Sequence, residues 1–158
     1  MTAPIVSIED LAALLPPRAA LMGFDLGTKT IGTAVSDDDR RIAAPLKTLP
    51  RKKFGEDAKI LLELARERKI GAFVLGLPVN MDGSEGPRAQ ASRAFARNFA
   101  RLTELPIGLW DERLSTAAVE RELIAQDVSR ARRAEVIDAH AAAFILQGAL
   151  DRLRTILG

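Results

Sequence analysis

The sequence predicts an α/β fold, one mixed sheet flanked by helices, and three observations carry that prediction. Between residues 19 and 50, three apolar stretches of strand length are separated only by short polar turns. Two further apolar stretches alternate with segments whose apolar residues recur at helical spacing. At 158 residues the chain is long enough for one domain that buries roughly two-thirds of the surface its unfolded form exposes.

The elements follow in order. "MTAPIVSIEDLAALLPP" reads as a short amphipathic helix stopped by Pro16 and Pro17, and residues 1–18 are expected to form an N-terminal helical extension to a domain spanning 19–158. "AALMGFDLG", "TIGTAVSD" and "IAAPLKTLP" read as three strands of an antiparallel meander. Phe54, Ala58, Leu61, Leu62 and Ala65 mark a helix that ends near Lys69, and "IGAFVLGLP" follows as a buried strand. The Gly-rich loop "VNMDGSEG" leads to Pro87 at a first helical position and a helix with Ala91, Phe95, Phe99 and Leu102 on one face. "LPIGLWDE" is the fifth strand, Ser115 is placed to cap a helix "TAAVERELIA", and a last helix runs from about Ala134 to the C-terminus. The order is βββαβαβα, in which strands alternating with helices pair in parallel.

Composition narrows the function classes. Hydrophobic content of 47% with 28% charged residues is globular, and no apolar run approaches the ~18 residues of a membrane span. The N-terminus carries acids and no basic segment, which argues against a secretory signal, so the expected location is the cytoplasm. Without cysteine there are no disulfides or thiolate metal sites. A net charge of +2 is modest, but a pI near 9.3 leaves room for an anionic partner. The absence of tyrosine speaks against a base-stacking platform for single strands.

Asp25 lies inside the first strand, Asp111 and Glu112 close the last one, and Asp138 opens the apolar stretch "AHAAAFILQGAL". An ionised carboxylate in apolar surroundings costs several kcal/mol unless it shifts its pKa, meets a cation or faces a solvated cleft. Each acid alone also fits a turn or a helix cap. Together they fit a hard divalent ion, and an oxygen-only donor set with His140 as the one histidine favours Mg²⁺ or Mn²⁺ over Zn²⁺. Ala141, Ala142 and Gly148 allow the last helix to approach the sheet closely, though an Ala-rich core helix reads the same way.

"GFDLGTKTIGTAVSD", "VLGLPVNMDGSEGPRA", "DERLST" and "IDAHAAAFILQ" resemble, in order, the motifs of the YqgF (RuvX) family, from about residue 20 to 150. That resemblance implies a ribonuclease H-like mixed five-stranded sheet, here with an extra N-terminal helix. It also implies a metal-dependent nuclease that matures the 5′ end of pre-16S rRNA or resolves Holliday junctions. Carried over by position, the catalytic and metal-binding acids are Asp25, Glu112 and Asp138, with Asp111 as the rival to Glu112. Positions 141 and 142 are alanine where many ribonuclease H-like proteins have a fourth carboxylate one turn beyond Asp138, and Glu135 is the substitute within reach.

Candidate nucleic-acid contacts are Lys29 in the first hairpin, Asn80 and Ser84 in the Gly-rich loop, Arg113 beside Glu112, and Arg130, Arg132 and Arg133 ahead of Asp138. Arg93, Arg97 and Arg101 form a further basic stripe, which a solvated helix face explains equally well. Two other functions compete with an endonuclease acting as monomer or homodimer on pre-rRNA or branched DNA. "DLGTKT" also resembles the first phosphate loop of actin-type ATPases, but those close a cleft between two such domains. A non-catalytic nucleic-acid-binding factor would show salt-sensitive binding without cleavage.

Overall fold

The computed structural model describes the backbone of residues 2–114 and 130–157, and the side chains of 2–114 and 139–157. The expected helix after Ser115 lies outside the described residues. The meander is β2 (Ala20–Leu26), β3 (Thr30–Ser36) and β4 (Ala43–Pro50); α2 (Phe54–Glu67), β5 (Ile70–Leu77), α3 (Pro87–Ala100), β6 (Ile107–Asp111) and α4 (Arg130–Leu157) follow. β1 (Ile5–Ser7) and the single turn α1 (Ile8–Leu11) precede them. The strand order is β1-β6-β5-β2-β3-β4, with β2–β3 and β3–β4 antiparallel and the remaining pairs parallel.

The two faces of the sheet are assigned by the alternation of side chains along β2. Met22 and Phe24 point toward α2 and α3, where Phe24, Phe73 and Phe99 meet at centroid distances of 5.0–5.7 Å. Leu21 points to the other face, into a cluster with Ile145, Leu146, Ala149 and Leu150 of α4. Gly23 is on this second face, and a Cβ there would lie 2.9 Å from Leu146 Cβ and 3.3 Å from the Ala142 carbonyl oxygen. Its lack of a side chain lets the α4 backbone rest on the sheet, the close approach expected from the small residues of that helix. The Ala43 amide donates to Gln147 Oε1 (2.8 Å), and Ala43 pairs with Ser36 at the start-of-β2 end of the meander. Helix α4 therefore runs antiparallel to β2, with its N-terminal half toward the Asp25 end.

The N-terminal segment departs from the expected continuous helix. Ile5–Ser7 pairs in parallel with Ile107–Leu109 as a sixth strand, and the extra helix is shortened to α1, capped by Ser7 Oγ accepting from the Asp10 amide at 3.2 Å, with the 3-10 turn Ala12–Leu14 that continues it. The reason is tertiary: the β6 edge offers unpaired backbone groups to two β-branched residues, Ile5 and Val6, and this outweighs helix propensity. Ile8 and Leu11 are buried over Gly108, where a Cβ would lie 2.7 Å from Leu11 Cδ2. Arg152 Nε donates to Glu9 Oε1 at 3.1 Å and ties α1 to α4. At the opposite edge, Pro45, Pro50 and Lys47 on β4 discourage pairing with further strands.

Candidate metal and nucleic-acid site

Asp25 is 6% exposed, the penultimate residue of β2, paired with Gly32 of β3 and sharing the α4 face with Leu21 and Gly23. On the parallel neighbour β5, Leu75 pairs with Phe24, so Gly76 comes alongside Asp25 at the ~4.8 Å spacing of adjacent strands. Gly76 faces α4 as well, because a Cβ on it would lie 2.6 Å from Ile145 Cδ1. That same Cβ would lie 3.1 Å from Glu112 Oε2 and 3.3 Å from its Cδ. The Glu112 carboxylate, carried by the one-turn 3-10 helix Glu112–Leu114, therefore occupies the space a Gly76 side chain would fill. The strands β2 and β6, which flank β5, thus bring two carboxylates to the same end and the same face of the sheet.

Strand alternation turns Asp111 away from them. Trp110 packs against Gly148 of α4, so its neighbour Asp111 faces the α3 side. There Arg113 donates to it through its backbone amide (2.9 Å), Nε (3.0 and 3.1 Å) and a terminal nitrogen (2.7 Å). The Arg113 hydrogen bonds hold the Asp111 carboxyl below the ordinary aspartate range, against a smaller opposing effect of burial. Asp111 is committed to Arg113, whereas Glu112 reaches the Asp25 face.

Asp138 lies on α4 one turn before Ala142, in the helix half that runs toward the Asp25 end of β2; its side chain lies outside the described ones. Its backbone thus covers the same face as Asp25. Arg130, Arg132, Arg133 and Glu135 are on the first turns of α4, with side chains outside the described set. Among the described residues no three His, Asp or Glu side chains gather closely enough to hold a metal, and of the three acids expected as ligands the described side chains are Asp25 and Glu112. The bare Gly76 beneath Glu112 fits a carboxylate cradle, and oxygen donors suit a hard divalent ion.

The Gly-rich loop is closed on itself. The Asn80 amide donates to Ser84 O (2.9 Å), the Gly83 amide to Asn80 O (2.9 Å), Asn80 Nδ2 to Ser84 Oγ (3.0 Å), and Ser84 Oγ to Asp82 Oδ1 (2.6 Å). Gly83 has φ of +92°, a conformation that favours glycine. The Ser84 hydroxyl, and then its amide, hold Asp82 below the usual carboxylate range. Asn80 and Ser84 thus shape the loop with their side chains, and a Cβ on Gly83 would lie 3.6 Å from an Arg113 terminal nitrogen. Of the basic stripe, Arg93 is engaged by Glu85 at 2.5 and 2.7 Å and anchors this loop to α3, while Arg97 and Arg101 are exposed farther along the helix. Lys29 is exposed at the β2–β3 turn, and His140 is half-buried on α4.

The sequence reading passed over Gly76, although a glycine inside the apolar strand "VLGLP" is a signal of close approach by another group. It also passed over Arg51 and Arg88, whose guanidinium groups donate to Gly27 O (2.8 Å) and Leu26 O (3.2 Å) at the end of the Asp25 strand.

A family description, "RuvX: Holliday junction resolvase", matches residues 19–152. A protein of Bradyrhizobium sp. strain BTAi1 named "Putative pre-16S rRNA nuclease" is 70% identical over 156 residues, covering 99% of this chain and 97% of its own. A protein of the same name from Rhodopseudomonas palustris strain BisB5 is 70% identical over 153 residues, covering 97% and 96%. Among solved structures, T. thermophilus RuvC in complex with Holliday junction substrate superposes with a TM-score of 0.56 at 15% identity, over 85% of this chain and 94% of that one. The yeast mitochondrial Holliday junction resolvase Ydc2 gives 0.52 at 10%, over 95% and 84%. These structures share the mixed sheet and flanking helices derived above, and with the match across residues 19–152 they make this chain a member of the RuvX family of Holliday junction resolvases.

Proposed function

We propose that this chain is a divalent-metal-dependent endonuclease that processes the 5′ end of pre-16S rRNA, with Asp25, Glu112 and Asp138 holding Mg²⁺ or Mn²⁺. The observation that carries the reading is the Glu112 carboxylate seated over Gly76 alongside Asp25, on the face that the Asp138 helix covers. The substrate is argued from the relatives at 70% identity, which bear the pre-16S rRNA nuclease name. A bound divalent ion supplies activation of water and stabilisation of the leaving oxygen. Asp25, buried on a central strand, fixes the position of that charge, because strand backbone moves little. Glu112, on a short turn that follows β6, contributes the second anionic oxygen group. The arginines at the start of α4 and Lys29 on the hairpin hold the phosphate backbone, and Asn80 and Ser84 keep the 80–86 loop in its folded shape beside it. Residues 19–158 form the catalytic domain and residues 1–18 extend its sheet.

The family description favours a second reading, resolution of four-way DNA junctions, which would call for a two-fold dimer where trimming of an RNA end needs only a monomer. The reading places the protein in the cytoplasm; among the described residues no helix is long and apolar enough to cross a membrane. The test is cleavage of a 5′-extended pre-16S RNA and of a four-way DNA junction, each with Mg²⁺ and with Mn²⁺. Metal-dependent cleavage of the RNA alone supports rRNA processing. Cleavage of the junction alone moves the assignment to resolution, and tight binding without cleavage of either makes the chain a binding factor.

A further inference from the structure

We infer that Arg51 and Arg88 form a subsite for one backbone phosphate of the bound nucleic acid, on the side of the β2–β3 hairpin opposite α4. The inference rests on the nucleic-acid reading above, but not on cleavage. The two arginines come from distant segments, the lead-in to α2 and the first turn of α3, and converge on neighbouring carbonyls, Gly27 O and Leu26 O. Between them is a notch of about 70 Å³ lined also by Thr28, Ala91 and Ser92, with no acid among the described residues of its wall. That is well below the roughly 300 Å³ of a small-molecule pocket, so it suits a single group and not a base or a cofactor.

The notch is built into the fold. Asp57, buried at the start of α2, accepts from the Lys52 amide at 3.1 and 3.2 Å and so fixes the segment that carries Arg51. The Arg51 amide in turn donates to Lys29 O at 2.8 Å. Among the described residues neither guanidinium has a carboxylate partner, in contrast to Arg93, Arg113, Arg152 and Arg154. Each guanidinium carries five N–H donors in a planar fork, and the carbonyl contact uses only part of them. Leu26 and Gly27 directly follow Asp25 on the strand, so a backbone phosphate seated here flanks the carboxylate pair and sets the register of the strand to be cut.

The experiment measures binding of a labelled RNA duplex with a 5′ single-stranded extension, in EDTA, so that neither cleavage nor a metal contributes. Arg51→Gln/Arg88→Gln keeps a donor for each carbonyl and removes both charges. It is expected to weaken binding about five- to twentyfold near 0.1 M salt and to lower the slope of log Kd against log salt by about one. Arg51→Lys/Arg88→Lys, which keeps the charges, is expected to retain the wild-type slope, as is Arg101→Gln at the far end of α3. An unchanged affinity and slope in the Gln pair would overturn the subsite. So would a Lys pair as weak as the Gln pair, since the arginines would then be acting through hairpin geometry alone. Wild-type protein that binds through Arg51 and Arg88 yet cleaves nothing would remove the nuclease reading and leave the subsite standing, and absent binding by wild type removes the subsite.

Discussion

Gly76→Ala isolates the contact on which the site depends. A Cβ there would lie 2.6 Å from Ile145 Cδ1, 3.1 Å from Glu112 Oε2 and 3.3 Å from Glu112 Cδ, and the glycine is not in the left-handed region, so alanine meets no backbone strain. Ordinary contact begins at about 3.4 Å. The tip of Ile145 must therefore retreat by nearly an ångström and the Glu112 carboxylate by a few tenths. Overpacking of this kind costs about 1–3 kcal/mol, offset by about 0.4–1 kcal/mol from the stiffer unfolded chain. At this chain length each kcal/mol moves the melting temperature by about 2–4 °C, so a fall of a few degrees is expected. Because a misplacement of an ångström costs about 100-fold in rate, a shift of a few tenths in the Glu112 carboxylate is expected to reduce rate by up to roughly tenfold. The assay is single-turnover cleavage across a Mn²⁺ titration at a temperature where both proteins are folded. Gly148→Ala is the control: its Cβ would crowd the Trp110 ring at 2.8–3.3 Å, two to three turns along α4 from Asp138. Gly76→Ala should raise the Mn²⁺ concentration for half-maximal rate while Gly148→Ala leaves it unchanged. Equal metal dependence in the two variants would refute the placement of Glu112 at the metal.

Glu112→Gln is expected to lower cleavage by roughly 100-fold or more and Asp111→Asn by no more than about threefold, because only Glu112 reaches the Asp25 face; rates at saturating Mg²⁺ decide. The Asp111–Arg113 pair should also show in the pH dependence of stability. Because Arg113 depresses the folded Asp111 pKa below its ordinary 3.8, the pair's contribution is fully present above that value and is lost as pH falls through the lower folded value. Melting curves of wild type and Asp111→Asn should accordingly differ by a constant amount above about pH 5 and converge in stronger acid. Leu11→Ala removes a fully buried side chain from the N-terminal extension and should cost about 2–5 kcal/mol, measured by urea unfolding, with the metal dependence of cleavage at 25 °C unaltered.

Much of the fold was legible because its signals are local. Short polar turns and flanking glycine or proline bound the apolar runs of β2, β3 and β5, and helical spacing marks α2 and α3, so the meander and the parallel pairs could be read in order. The N-terminal segment could not, since Ile5 and Val6 are strand only by virtue of the β6 edge a hundred residues away. Which face Asp111 and Glu112 each take was hidden for a related reason. Adjacent residues at a strand end point to opposite faces, and no local feature of "LWDER" says which face carries α4; the Trp110–Gly148 contact settles it. The stripe Arg93, Arg97 and Arg101 read as uniform, but Glu85 takes up Arg93 across a loop whose folded shape is invisible in composition. Gly76 was legible and unread: an apolar strand interrupted by glycine asks what sits over the gap, and the answer is a carboxylate.

The most direct test of the carboxylate pair is the Mn²⁺-dependent cleavage rate of 5′-extended pre-16S RNA by Asp25→Asn compared with wild type. The account predicts a folded variant that binds the RNA and cuts it at least 100-fold more slowly at every Mn²⁺ concentration. A rate equal to wild type would contradict it.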